Sequence, residues 1–112
     1  MTDEDKKAVS EFKKAVNMTA RQIEKWLDTK ESKEVGFKED DKGESVGHKS
    51  GKRIIEILDK SQADYSAEDL KHIHKVVGYV HRHLAQKPAG DITETNWRYS
   101  LMNWGHDPAK QD

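Results

Sequence analysis

The chain has 112 residues, of which 37% are charged and 33% apolar, and 20 Lys and Arg stand against 21 Asp and Glu for a net charge of −1. Ordinary domains are nearer 25% charged and 45–50% apolar, so the length and composition predict one small, highly charged domain. They exclude a two-domain enzyme with its own cofactor fold, and the charge balance excludes a globally cationic nucleic-acid binder while leaving room for a local basic face.

No cysteine is present, which removes disulfide frameworks, thiolate nucleophiles and Cys-based zinc or iron–sulfur sites. A secreted domain this polar would need disulfide staples. The expectation is therefore an intracellular protein, cytoplasmic or nucleoid-associated, or nuclear in a eukaryote. No apolar run approaches the roughly 20 residues of a membrane span, and Met1–Lys7 lacks signal-peptide character. Asn17-Met18-Thr19 matches a glycosylation sequon, read here as coincidental.

In chain order, Val9, Phe12 and Val16, with Ala8 and Ala15, predict an amphipathic helix over 5–16. Thr19-Ala20-Arg21-Gln22 is a capping-box pattern. It opens a second helix to about Thr29, with Ile23, Trp26 and Leu27 on one face and a possible helical turn near Ser32–Val35. Residues 36–50 hold Gly36, Gly43 and Gly47 among acids and lysines without periodicity, which predicts a glycine-rich acidic loop. Ile54, Ile55, Ile57 and Leu58 predict a third helix over about 50–60.

Ser66-Ala67-Glu68-Asp69 signals the next N-terminus, and Leu70, Ile73, Val77, Val80 and Leu84 repeat at helical spacing, so a helix of about 18 residues ends near Ala85 before Pro88. Trp97, Leu101 and Trp104 define a last helix over about 94–104, with Gly105 in the C-terminal capping place. The tail after Pro108 is expected to fray. No strand period occurs. The predicted architecture is all-α, a small bundle of four or five helices with one long glycine-rich acidic loop.

Three segments are candidates for chemistry. Gly43 to Ser50 nearly spells G-x-x-x-x-G-K-[ST], but His48 replaces the second glycine and no buried strand precedes it, so a triphosphate loop is not expected. The same stretch reads better as a helix start where Lys49, Lys52 and Arg53 gather around exposed amides and Ser50 caps or donates, a constellation suited to a backbone phosphate.

Among the six histidines, His72, His74, His81 and His83 fall on the long helix with no i, i+4 pair, so no metal site is expected from that helix alone. His74 and His81 border the apolar stripe and are expected to be partly buried. His72 and His83, near Lys75 and Arg82, are expected to be exposed and available to phosphate. In the last segment, Trp97, Leu101 and Trp104 read as core, Arg98, Tyr99 and Met102 remain for a partner or for stacking on bases, and His106 and Asp107 are close enough for a local hydrogen bond. No hydrolase triad is supported.

The charge is unevenly spread. Residues 1–45 carry 10 basic and 12 acidic side chains, 46–87 carry 8 and 5, and 88–112 carry 2 and 4. The middle segment is thus at +3 and holds five of the six histidines. A local anionic contact that strengthens as pH falls through the histidine range follows from this.

The segments Val16 to Thr19, Glu44 to Ile54, Lys75 to Leu84 and Trp97 to Pro108 together resemble a family of short bacterial and fungal proteins known as a domain of unknown function, some members of which carry a DNA-binding label. The resemblance covers about residues 10–108 and transfers no catalytic residue. It implies DNA contact at Lys49–Arg53. Lys52 stands where the pattern leads one to expect arginine, and a lysine keeps the charge without the bidentate fork, favouring phosphate over base contact.

The resulting expectation is a non-enzymatic protein without metal or cofactor that contacts DNA phosphates through Lys49, Ser50, Lys52 and Arg53, extended by His72, Lys75, Arg82 and His83. The alternative is a protein-interaction module using loop 36–50 or Tyr99. No membrane partner is expected.

Overall fold

The computed structural model describes residues 1–36, 38 and 43–110. Six α-helices occupy them: α1 Asp3–Ala15, α2 Ala20–Leu27, α3 Lys30–Glu34, α4 Val46–Leu58, α5 Ala67–Leu84 and α6 Asn96–Asn103, with a 3-10 turn at Gln62–Asp64. The only extended pairing among the described residues is a single bridge between Lys38 and Ser45. The all-α expectation holds, and the additional helix is α3, which the sequence shows only as a turn.

The helix starts follow their caps. Thr2, Thr19 and Ser66 form complete capping boxes with Asp5, Gln22 and Asp69, while Thr29, Ser45 and Thr95 accept one backbone amide each. Ser45, not Ser50, caps α4, which begins four residues earlier than expected. The anticipated loop therefore ends by Ser45, and its residues 37 and 39–42 lie outside the described residues. Gly105, at φ +81°, ends α6 in the left-handed conformation that glycine adopts without strain.

α1 packs on α5 and α2 on α4, while α6 touches α2, α3, α4 and α5. The core joins Phe12, Ile23, Ile54, Ile57, Ile73, Val76, Val80 and Leu101. Asn103, on α6, is fully buried; its Oδ1 accepts from Trp26 Nε1 at 2.7 Å and Ser32 Oγ at 2.5 Å, and its Nδ2 donates to the Ser32 carbonyl at 3.1 Å.

The described part of the C-terminal segment, up to Lys110, bonds back to the connection between α1 and α2. Asn17 and Asp107 exchange two hydrogen bonds, His106 Nδ1 donates to the Ala15 carbonyl and Lys110 Nζ to the Asn17 carbonyl. His106 is thus not bonded to Asp107, whose carboxylate instead takes Arg98 in a two-pronged pair. That pairing withdraws Arg98 from partner contact.

α4 approaches α2 and α6 closely at Gly51, where a Cβ would lie 2.7 Å from both the Asn103 carbonyl oxygen and Leu27 Cδ2. Alanine favours a helix over glycine by about 1 kcal/mol. The overpacking against backbone costs about 1–3 kcal/mol and should win. Gly51→Ala is expected to lower the urea midpoint; an unchanged or raised midpoint would mean the helices part without cost.

Candidate functional site

α5 presents three side-chain rows. Ile73, Val76, Val77 and Val80 are buried, on the side that faces α1. Lys71, Lys75 and Arg82 follow one another at i, i+4 and i+11 along an exposed row. His72, Tyr79 and His83, at i, i+7 and i+11, form the third.

That third row meets Trp97 and Trp104 of α6. The rings form a continuous near-parallel column in the order His72, Trp104, Tyr79, His83, Trp97, with successive centroids 6.1, 4.2, 5.1 and 6.1 Å apart and planes within 15°. Trp97 Nε1 donates to the His83 carbonyl at 2.7 Å.

This reverses two expectations about the histidines. His72 and His83 are half-buried within the column, whereas His74 and His81 are exposed, and His74 Nε2 meets Asp5 Oδ1 at 2.9 Å. The reason is that α5 is covered on two sides, by α1 over its aliphatic row and by α6 over its aromatic row. Burial pushes the His72 imidazole below the usual range, with Lys75 and Arg53 adding repulsion, and burial does the same to His83. His83 is therefore a stacked ring rather than a phosphate contact, and its Nε2 is buried without a hydrogen-bond partner.

Ser50 is buried in mid-helix, its Oγ 2.9 Å from His72 Nε2. It links α4 to α5 and offers nothing to an anion at the helix start. His48 is likewise buried, with Nδ1 against Glu44 and Nε2 donating to the Leu27 carbonyl at 2.7 Å. Lys52 reaches the same Glu44 at 2.6 Å and lines a depression with Leu27, Asp28 and Lys33 on the α2 side of α4. Burial works against ionisation of Glu44, but Lys52 and His48 outweigh it and hold the carboxyl below its usual range. Lys52 thus faces away from the other predicted cations.

Those others converge. A groove of about 690 Å³ between α4 and the start of α5 is lined by Lys49, Ser50, Arg53, His72 and Lys75, together with Val46, Lys71 and Glu68. Four cations thus share it with one carboxylate. Lys71 was missed in the sequence, though its i, i+4 relation to Lys75 was there to find. Arg53 lies in the groove wall but is partly committed: Nη2 is 2.6 Å from Asp69 Oδ1 and Nη1 2.9 Å from Glu56.

Asp69 is fully solvent-excluded, and Lys60 Nζ and the Ser66 amide also reach its Oδ2, at 2.7 and 2.9 Å. The Lys60 contact, then the Ser66 amide, hold its carboxyl down to about 2.

Beyond Lys75 the groove adjoins a tighter cavity of about 220 Å³, bordered by Gly47, Lys75, Tyr79, Arg82, Ser100 and Trp104. Burial pushes the Tyr79 phenol up, against smaller opposing effects of Ser100 and Arg82. Tyr99, predicted as an exposed contact, is half-buried and packs against Trp26 at 5.4 Å. Met1 is the only exposed large hydrophobic residue among those described. Among the described residues no three His, Asp or Glu side chains gather as metal ligands would, and none of their helices is long and apolar enough to cross a membrane.

Comparison with known proteins adds one result. No curated protein and no solved structure matches the chain. A family model described as "Protein of unknown function (DUF3140)" matches residues 11–102, which include the whole basic groove but, of the cavity's α6-side residues Ser100, Asn103 and Trp104, only Ser100. The chain belongs to the DUF3140 family of proteins of unknown function.

Proposed function

We propose that this protein binds DNA through backbone phosphates held in the α4–α5 groove, without a catalytic step. The observation that carries the reading is the convergence of Lys49, Lys71 and Lys75 with Arg53 around a groove containing a single carboxylate. Lysine ammonium groups are compact, mobile point charges suited to successive phosphates. The acidic remainder of the chain keeps the molecule near neutrality, so attraction is confined to this face.

The test is fluorescence anisotropy on a labelled 20-base-pair duplex across a salt series. Three or four cation–phosphate contacts predict a log–log salt slope of about −3 to −4, hence roughly a hundredfold weaker binding at 200 mM than at 50 mM salt. The triple variant Lys49→Ala, Lys71→Ala, Lys75→Ala is expected to flatten that slope by about 3. Lys52→Ala, on the far side of α4, is expected to stay within about twofold of wild type, since it touches no part of the groove. Absence of binding at 50 mM salt and pH 6, or a triple variant indistinguishable from wild type, overturns the reading.

A further inference from the structure

The cavity beyond Lys75 differs in chemistry from the groove it adjoins. Its walls are mostly apolar side-chain edges and glycine, and its polar groups are hydroxyls, cations, one indole N–H and the Asn103 carboxamide, which is already bonded to Trp26 and Ser32, with no carboxylate. A single water needs only about 10–15 Å³, so a cavity of about 220 Å³ has room for a ring system.

One polar group on its wall is uncommitted within the protein. Of the three tryptophans, Trp26 and Trp97 donate their indole N–H groups to Asn103 and to the His83 carbonyl. Trp104 Nε1–H donates to no protein group among the described residues, and it is not one of their solvent-excluded atoms without a hydrogen bond, which are Asp69 Oδ1 and His83 Nε2, so it opens into the cavity. An indole N–H that opens into a cavity is available to water or to an acceptor atom of a ligand that displaces it. Gly47, which shares the cavity wall, faces this nitrogen: a Cβ there would lie 3.1 Å from Nε1. The missing side chain keeps the N–H open to the cavity.

At the rim stand two cations. Lys75 belongs to both groove and cavity. The Arg82 guanidinium folds back over Gly78, where a Cβ would come within 3.2 Å of Nη1. The faces of Tyr79 and Trp104 are already covered within the ring column, so an incoming ring meets their edges. Those edges carry partial positive charge and match the π-face, carbonyl oxygens and ring nitrogens of a nucleobase.

We propose that the cavity takes one unstacked nucleotide, its base lodged against the edges of Tyr79 and Trp104 with an acceptor atom on Trp104 Nε1–H, and its phosphate held by Lys75 and Arg82. This rests on the phosphate-binding reading of the groove. The shared Lys75 makes the next phosphates of a strand fall toward Lys71 and Lys49. An unpaired base enters such a pocket without the cost of breaking a pair, so single strands are favoured over duplex.

The experiment follows the Trp104 indole cross-peak in ¹H–¹⁵N spectra of the full chain during titration with a single-stranded thymidylate dodecamer, a duplex of equal length, thymidine monophosphate and inorganic phosphate. The dodecamer is expected to shift this peak and inorganic phosphate to leave it in place. A shift with thymidine monophosphate as well identifies the free nucleotide as a sufficient ligand; a shift with the dodecamer alone shows that flanking phosphates are required. Both support the proposal.

If the dodecamer binds with the groove's salt dependence while the Trp104 peak stays fixed, the nucleotide site is overturned and the phosphate groove survives. If neither strand nor duplex binds, both readings fall. Gly47→Ala is expected to weaken dodecamer binding about tenfold and duplex binding less than twofold. Trp104→Phe, which keeps a ring and removes the N–H, is expected to act in the same direction and guards against a folding defect in the first variant. Equal losses on strand and duplex for both variants overturn the proposal.

Discussion

Asn103→Leu is expected to destabilise the fold by about 3–4 kcal/mol, the largest single effect outside the aliphatic core. The substitution keeps a similar volume and removes an acceptor that two buried donors share, Trp26 Nε1 and Ser32 Oγ, as well as the donor to the Ser32 carbonyl. Each buried polar group left without a partner costs about 1–3 kcal/mol, and relaxation of the Ser32 hydroxyl toward another acceptor recovers part of the sum. For a chain of this length, about 4 °C of midpoint accompanies each kcal/mol, so a fall of some 12–16 °C is expected by calorimetry. Because Asn103 is the point where α6 holds α2 and α3, the Trp26 indole resonance should broaden well below the midpoint. A fall under about 4 °C would show that the contacts are dispensable.

The second large effect belongs to Asp69. Asp69→Ala is expected to cost about 3 kcal/mol at pH 7, combining loss of the α5 cap, worth about 1 kcal/mol, with loss of a buried acceptor for two cations. Breaking a buried pair costs 3–5 kcal/mol. The lower end applies because the Lys60 and Arg53 side chains are 37% and 30% exposed and rehydrate once released.

The pH dependence distinguishes this from a packing defect. The Asp69 carboxyl sits at about 2 in the folded chain against an ordinary 3.8. A depressed carboxylate contributes stability fully above its unfolded value and loses it as pH falls through its folded value. The gap between wild type and Asp69→Ala should therefore be constant from pH 7 to about 5 and narrow between about 4 and 2. Urea melts at pH 7 and pH 2.5 measure it; an equal gap at both would remove the ionised carboxylate as the cause.

The DNA binding proposed for the groove should respond to pH differently from what the bare histidine count implies. His72 is the histidine that faces the groove, and burial with Lys75 and Arg53 nearby lowers its pKa. A gain in binding from its protonation therefore appears below the ordinary imidazole range instead of across it.

Much of the local structure was legible before any coordinates. The capping boxes at Thr19 and Ser66, the 18-residue reach of α5, the Gly105 stop and the aliphatic stripe from Ile73 to Val80 all depend on neighbours within a turn or two. Such interactions are written in spacing. The concentration of positive charge in 46–87 was legible for the same reason, and Lys49, Arg53 and Lys75 do meet on one face.

The tertiary structure decided the rest. Lys52 is three residues from Lys49, yet Glu44 draws it to the opposite side of α4. Ser50 resembles a cap until Ser45 is seen to do that work and Ser50 to face His72. His72 and His83 look solvent-exposed until α6 lays Trp97 and Trp104 along them. The open N–H of Trp104 beside Gly47 depends on where two helices distant in sequence come to rest. Short-range hydrogen bonding and periodic burial are properties of a segment, so the amino-acid sequence alone determined the helices, most of their ends and the sign of the central charge. Which second face of a helix is covered, and which charged side chain finds a partner, are properties of packing between segments, and only the assembled bundle settled them.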